Sequence, residues 1–187
     1  MAYTAIDDPT DYFRTKLYNG NNNIQNIAWD ETDTSMAPNW MWIKSRTGNT
    51  VFGHVIGDTV RGSGKYQRVD TDDEEVSNNN VIRAFNSNGF EVGGATFVSE
   101  GSRTYVAWGW IANSAFSNDA SSTSIGSVDS SGSVGALQGL SIIKWTGNNT
   151  GGATIAHGLG TTPNALIIKI ELMEVHQIGL YGMTNLL

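Results

Sequence analysis

Apolar residues in this chain arrive in short runs separated by segments rich in Gly, Asn and Ser, and no stretch carries a sustained helical period. Gly and Asn accept the positive φ that tight turns require, and short apolar or alternating runs suit a pleated sheet, so this punctuation predicts many short strands. Twenty-two Gly against three Pro, with a charged fraction of only 16%, fit broad half-buried sheets better than charged amphipathic helices. The fold expected is all-β, an antiparallel sandwich.

Phe13, Thr15 and Leu17 alternate with Arg14, Lys16 and Tyr18 in the period of a half-buried strand. Asn19-Gly20 follows as a hairpin signal, with residues 24–29 as the return strand. Trp40-Met-Trp-Ile-Lys44 is apolar on both faces and predicts a central strand, with residues 51–56 as its neighbour in sequence. Residues 58–80 are polar and predict an exposed loop with at most one short helical turn. Short strands are expected at 81–85, 90–93, 96–99 and 104–111. Residues 112–138, dominated by Ser, Gly and other small side chains, read as a flexible connector spanning on the order of 30 Å. The expected organisation is therefore a main β-sandwich domain at 1–111, a Ser/Gly-rich linker at 112–138, and a further unit at 139–187.

That further unit repeats the beginning of the chain. Leu17-Tyr-Asn-Gly-Asn-Asn22 matches Lys144-Trp-Thr-Gly-Asn-Asn149, and Ala37-Pro-Asn-Trp-Met-Trp-Ile-Lys44 matches Thr162-Pro-Asn-Ala-Leu-Ile-Ile-Lys169. The two blocks recur in the same order at nearly equal spacing, 18 positions from Gly20 to Pro38 and 16 from Gly147 to Pro163. Eighteen residues follow Lys169, so a partial second β unit of a few strands is expected. A small isolated sheet is marginal in water, and unpaired apolar runs invite association. Leu166, Ile167, Ile168, Leu180 and Tyr181 are therefore expected to lie on assembly strands that complete a sheet against the first domain or a neighbouring subunit.

Five pieces of the chain carry a family resemblance: Asp11-Tyr-Phe-Arg-Thr-Lys-Leu-Tyr-Asn-Gly20, Pro38-Asn-Trp-Met-Trp-Ile-Lys44, Asp58-Thr-Val-Arg-Gly62, Phe85-Asn-Ser-Asn-Gly-Phe90 and Tyr105-Val-Ala-Trp-Gly-Trp110. In this order they resemble a domain family common in structural proteins of marine phages, cyanophages included, where it often occurs in tandem. Leu140-Ser-Ile-Ile-Lys-Trp-Thr-Gly147 with His157-Gly-Leu-Gly160 and Pro163 resembles the start of the next tandem unit. The resemblance implies a lectin-like or jelly-roll β-sandwich in a virion protein, a tail fibre or another exposed component, made in the host bacterial cytoplasm. Its implied partners are other virion proteins and copies of itself, with a host surface glycan as the alternative.

Composition and motifs narrow the chemistry. There is no Cys for a thiolate site, and a net charge of −7 argues against nucleic acid as a partner. No run reaches the roughly 18 apolar residues of a membrane-spanning helix, so no membrane insertion is expected. Trp40 and Trp42 share one strand face, as do Trp108 and Trp110, which offers either a glycan-stacking platform or a core or subunit interface. The core or subunit-interface reading is preferred, because strands so apolar are usually covered.

Gly57-Asp-Thr-Val-Arg-Gly62-Ser63 has the glycine spacing of a phosphate loop, but Ser63 stands where lysine is needed, so Asp58 and Arg61 are expected to make a local turn contact. The acidic residues Asp70, Asp72, Asp73, Glu74 and Glu75 lack the glycine turn of a calcium loop and read as a solvated loop. His54, His157 and His176 have no metal-motif spacing, and no Ser sits in a nucleophile elbow. No catalytic residue, metal site or cofactor is expected, and the chain is read as non-enzymatic.

Overall fold

The computed structural model describes residues 6–48 and 53–170, and its regular elements are almost all strands. A 3-10 turn at Pro9–Asp11, capped by the Asp8 carboxylate, leads into β1 (Phe13–Asn19). Then come β2 (Gln25–Ala28), β3 (Trp40–Ser45), β4 (Val55–Asp58), β5 (Lys65–Arg68), β6 (Val76–Ser77), β7 (Ile82–Asn86) and β8 (Gly89–Val92). One helical turn, α1 (Thr96–Ser99), precedes β9 (Thr104–Trp110). The chain continues through β10 (Ser114–Asn118), the short α2 (Ala120–Thr123), β11 (Ser130–Gly135) and β12 (Leu140–Trp145).

The strands form three antiparallel sheets, in the orders β1-β9-β3-β4-β5-β6, β2-β8-β7 and β10-β11-β12. The first two make an all-β sandwich. Met41 lies opposite Gly109 and Gly57, and Ile43 opposite Ala107 and Val55, so one face of the six-stranded sheet is apolar and small. Against it pack Ile27, Ile82, Phe90 and Val92 of the second sheet, with Val98 of α1. The two glycines let the sheets approach: a β-carbon at Gly57 would lie 2.7 Å from Ile82 Cδ1, and one at Gly109 2.7 Å from the Trp29 ring. Full burial of a side chain such as Phe90 stabilises the fold by roughly 1.5–3 kcal/mol.

Two buried polar anchors lock this core. Arg14 is 2% exposed, and its guanidinium donates to the carbonyls of Thr10, Glu31 and Thr34, to Thr34 Oγ1 and to Asn88 Oδ1. It thereby ties the entry turn, the 30–37 loop and the β7–β8 turn together. Tyr18 stacks on Tyr105 at 5.3 Å, and each hydroxyl donates to a carbonyl of the α1 turn, Tyr18 to Val98 and Tyr105 to Thr96. Burial raises both phenols above their usual range, keeping them protonated as donors.

Several expectations are corrected. Asn19-Gly20 closes no β1–β2 hairpin, because β1 pairs with β9 and β2 with β8. The groups a hairpin would use are taken by the distant 99–103 turn: Gly20 N donates to Arg103 O and Asn22 N to Ser99 O, while Asn22 Oδ1 accepts from Gly101 N. Residues 58–80 are not an exposed loop, since β5 and β6 extend the large sheet and Tyr66 and Gln67 are buried. Residues 96–99 coil as α1, whose turn feeds carbonyls to the two tyrosines. Residues 112–138 are not a flexible connector. They supply β10, α2 and β11, and two serines of β11 are buried and bonded: Ser130 Oγ donates to Ala156 O and Ser133 Oγ to Ala112 O.

The repeat is visible in three dimensions. β12 stands where β1 stands 127 positions earlier, and each strand runs into the same turn. Asn22 and Asn149 are both left-handed, at φ 60° and 56°. Asn21 Oδ1 accepts from Asn23 N at 2.8 Å, as Asn148 Oδ1 does from Thr150 N at 3.0 Å.

Candidate functional site

The face of the six-stranded sheet turned away from the sandwich core carries the tryptophans. Cross-strand register aligns them: Phe13, Trp110, Trp40 and Asp58 lie in one row, and Thr15, Trp108, Trp42, Ile56 and Gln67 in the next. All four tryptophans are half-buried. Sequence periodicity put each pair on one face; tertiary register joins the two pairs across β3 and β9.

The rings support one another. Phe13 to Trp110 is 4.6 Å between centroids, Trp40 to Trp110 4.8 Å, Trp40 to Trp42 5.9 Å and Trp42 to Trp108 6.1 Å. Their interplanar angles run from 42° to 81°, so edges press on faces and no coplanar pair lies flat. Such tilted packing is suited to a rigid apolar contact surface more than to a flat sugar platform. Phe13 and His54 also belong to this cluster and were not singled out from the sequence; the alternation of β1 points to Phe13, whereas nothing local points to His54.

Trp42 Nε1 donates to His54 Nδ1 at 2.8 Å, which requires His54 Nδ1 to be unprotonated. Burial, aided by the charge of Lys44 and opposed by Asp70, holds the His54 imidazole below its usual range. Asp70 accepts from His54 N and from Arg68. Burial alone would raise its carboxyl, but these bonds outweigh it and leave it below the usual range. Glu75 pairs with Lys65. Two carboxylates of the acidic stretch thus serve ion pairs, rather than standing solvated. Asp58 and Arg61 form a buried ion pair at 2.6 Å beside Trp40, and Arg61 N also donates to Asp58 Oδ1, so the glycine-flanked segment is a β4–β5 turn. His157 Nδ1 accepts from Leu159 N in its turn, and His176 lies outside the described residues.

A second surface lies on the repeated unit. Leu166, Ile167 and Ile168 are exposed, and among the described residues they join no sheet. The segment is tied at its end, where Lys169 Nζ donates to Thr71 O and Gln67 Nε2 to Ile170 O. Leu180 and Tyr181, the other expected assembly residues, lie outside the described residues. Trp145 borders an open groove of about 480 Å³ whose lining is polar, including Asn118, Asp119, Asp129, Ser130 and Lys144. Among the described residues no group of three or more His, Asp or Glu is placed to hold a metal ion.

Residues 8–184 match the family described as Domain of unknown function (DUF7483), so the match runs through the main sandwich, the 112–138 segment and the repeated unit. No curated protein and no solved structure matches the chain.

Proposed function

The chain belongs to this family of domains of unknown function, and we propose that it is a non-enzymatic structural component of a bacteriophage particle, a tail fibre or another exposed part. It assembles there with copies of itself and with other virion proteins. The observation that carries the reading is the outward aromatic face: four tryptophans and Phe13 packed edge to face on a rigid sheet. Aromatic residues preorganised in this way lose little entropy when covered and are the common anchors of protein interfaces. The sequence resemblance to marine phage structural proteins supplies the setting.

Sedimentation of the full chain, beside a Trp40→Ser/Trp110→Ser variant, tests the assembly. The native chain should form a concentration-dependent oligomer that the variant loses. A native chain that stays monomeric at all concentrations and is missing from purified particles refutes the reading.

Host-glycan binding is a second reading with an observation of its own. Trp145 stands 39% exposed beside the polar groove, an aromatic face next to carboxylates and amides of the kind that hold sugars. Blank results on both a broad glycan array and a host adsorption assay would dismiss it.

A further inference from the structure

We propose that the edge of β12 left unpaired among the described residues, the 147–149 loop and the exposed 165–169 segment form a docking slot for a polypeptide segment with the chemistry of residues 99–110. That chemistry is a Ser-Glu-Gly-Ser-Arg turn running into an aromatic-rich alternating strand, supplied by another chain of this family. The inference deepens the assembly reading and rests on it, giving the contact a geometry.

The first copy shows what fills such a slot. There β9 lies between β1 and β3, and the 99–103 turn clasps Gly20 and Asn22. The approach is so close that a β-carbon on Gly20 would lie 2.1 Å from Glu100 O. In the second copy the receiving half is preformed, with the same left-handed Asn149 and the same Asn148 turn. Among the described residues nothing comes within 4 Å of a β-carbon at Gly147.

Among the described residues the matching edge is also open. Tyr12 O accepts from Ile111 N and Gly20 N donates to Arg103 O, so the even-numbered residues of β1 turn their backbone groups toward β9. Their counterparts on β12 are the odd-numbered Ser141, Ile143 and Trp145. The even-numbered set faces β11 instead, because the Ile142 carbonyl lies against Gly132, 1.9 Å from where its β-carbon would stand. β11 therefore occupies the edge opposite to the one β9 takes on β1.

Side chains that the first copy buries stand exposed in the second. Met41 and Ile43 are 0% exposed, whereas Leu166 and Ile168, their counterparts, are 70% and 66% exposed. Tyr18 is buried on Tyr105, whereas Trp145, in its place, is open on one side.

The test is titration of the isotope-labelled full chain with a synthetic peptide of residues 96–111, followed by NMR, with a scrambled peptide as control. Saturable shifts are expected at Ser141, Ile143, Gly147, Asn149, Leu166 and Ile168, with β6 silent. Gly147→Ala should leave the spectrum of the free chain folded and weaken binding at least about tenfold, by blocking the turn. Asn149→Gly keeps the positive φ but removes the acceptor for the turn's glycine N–H, and should weaken binding by up to about tenfold. The proposal is overturned by no saturable shift, by equal response to the scrambled peptide, or by unchanged binding to Gly147→Ala. A chain that oligomerises through its tryptophan face yet ignores the peptide loses this inference and keeps the assembly reading.

Discussion

Substituting each of two repeat-related glycines by alanine separates a filled contact from an open one. Neither Gly20 nor Gly147 needs a positive φ, so alanine strains neither backbone. At Gly20 the new β-carbon would meet Glu100 O at 2.1 Å, Glu100 C at 2.6 Å and Ser99 C at 2.7 Å, all backbone atoms that no side-chain rotation can clear. The 99–103 turn cannot retreat without breaking its bonds to Gly20 and Asn22. Overpacking of this kind costs about 1–3 kcal/mol where side chains can shift, so a cost near the top, about 3 kcal/mol, is expected. In a chain of this size that lowers the melting temperature by about 6–12 °C. Gly147→Ala meets nothing and should stay within about 0.5 kcal/mol of the native chain, with any change stabilising through the unfolded state. Urea unfolding followed by tryptophan fluorescence, with thermal melts by circular dichroism, measures both. Equal losses for the two variants, or a neutral Gly20→Ala, would refute the argument that the 99–103 turn is seated on the first copy alone.

Arg14→Met keeps the length of the side chain but strips donors from the Thr10, Glu31 and Thr34 carbonyls and from Asn88. Urea unfolding should show a loss of about 3–5 kcal/mol, and a loss below about 1 kcal/mol would mean water replaces the guanidinium. Tyr105→Phe leaves Thr96 O and Glu100 N without their shared partner and should cost about 2 kcal/mol by the same assay, with the sheet order unchanged. His54 has a depressed folded pKa, so the unfolded chain binds the extra proton. Its stabilising effect is complete above the ordinary histidine pKa and is lost as pH falls from there through the lowered folded value. Melting temperatures taken from pH 7.5 down to pH 5 should fall less in His54→Gln than in the native chain; parallel curves would show that the Trp42–His54 bond does not titrate.

Much of the strand inventory was legible because local period and turn chemistry act within a few residues. Alternation along Phe13 to Tyr18, the doubly apolar Trp40 to Lys44 and the Gly/Asn breaks after Phe85 each point to β-structure without help from the rest of the chain. The 17–22 and 144–149 match was likewise legible as a repeat, and the two segments turn alike because Asn21 and Asn148 accept the same local hydrogen bond. The segment 112–138 was illegible because its strands carry Ser and Gly where a strand normally carries apolar side chains. What makes Ser130 an interior residue is a carbonyl of Ala156, 26 positions away, and no window of sequence contains both.

The sequence by itself determined that the chain is β-rich, that Trp40 and Trp42 share a face as Trp108 and Trp110 do, and that its opening is written twice. Each follows from the two-residue period of a strand or from direct identity. Only the tertiary structure decided which strands are neighbours, because pairing depends on contacts between residues far apart in the chain. It sent β1 to β9 instead of into a hairpin, set Trp40 opposite Trp110, and placed His54 at the N–H edge of the Trp42 indole. It also decided what two matching loops can do. Gly20 and Gly147 are each followed by two asparagines, yet one is packed against a turn some 80 residues away and the other faces open space among the described residues. The physical reason is that a local motif carries its own conformation, whereas its burial belongs to whatever the rest of the polypeptide brings to it.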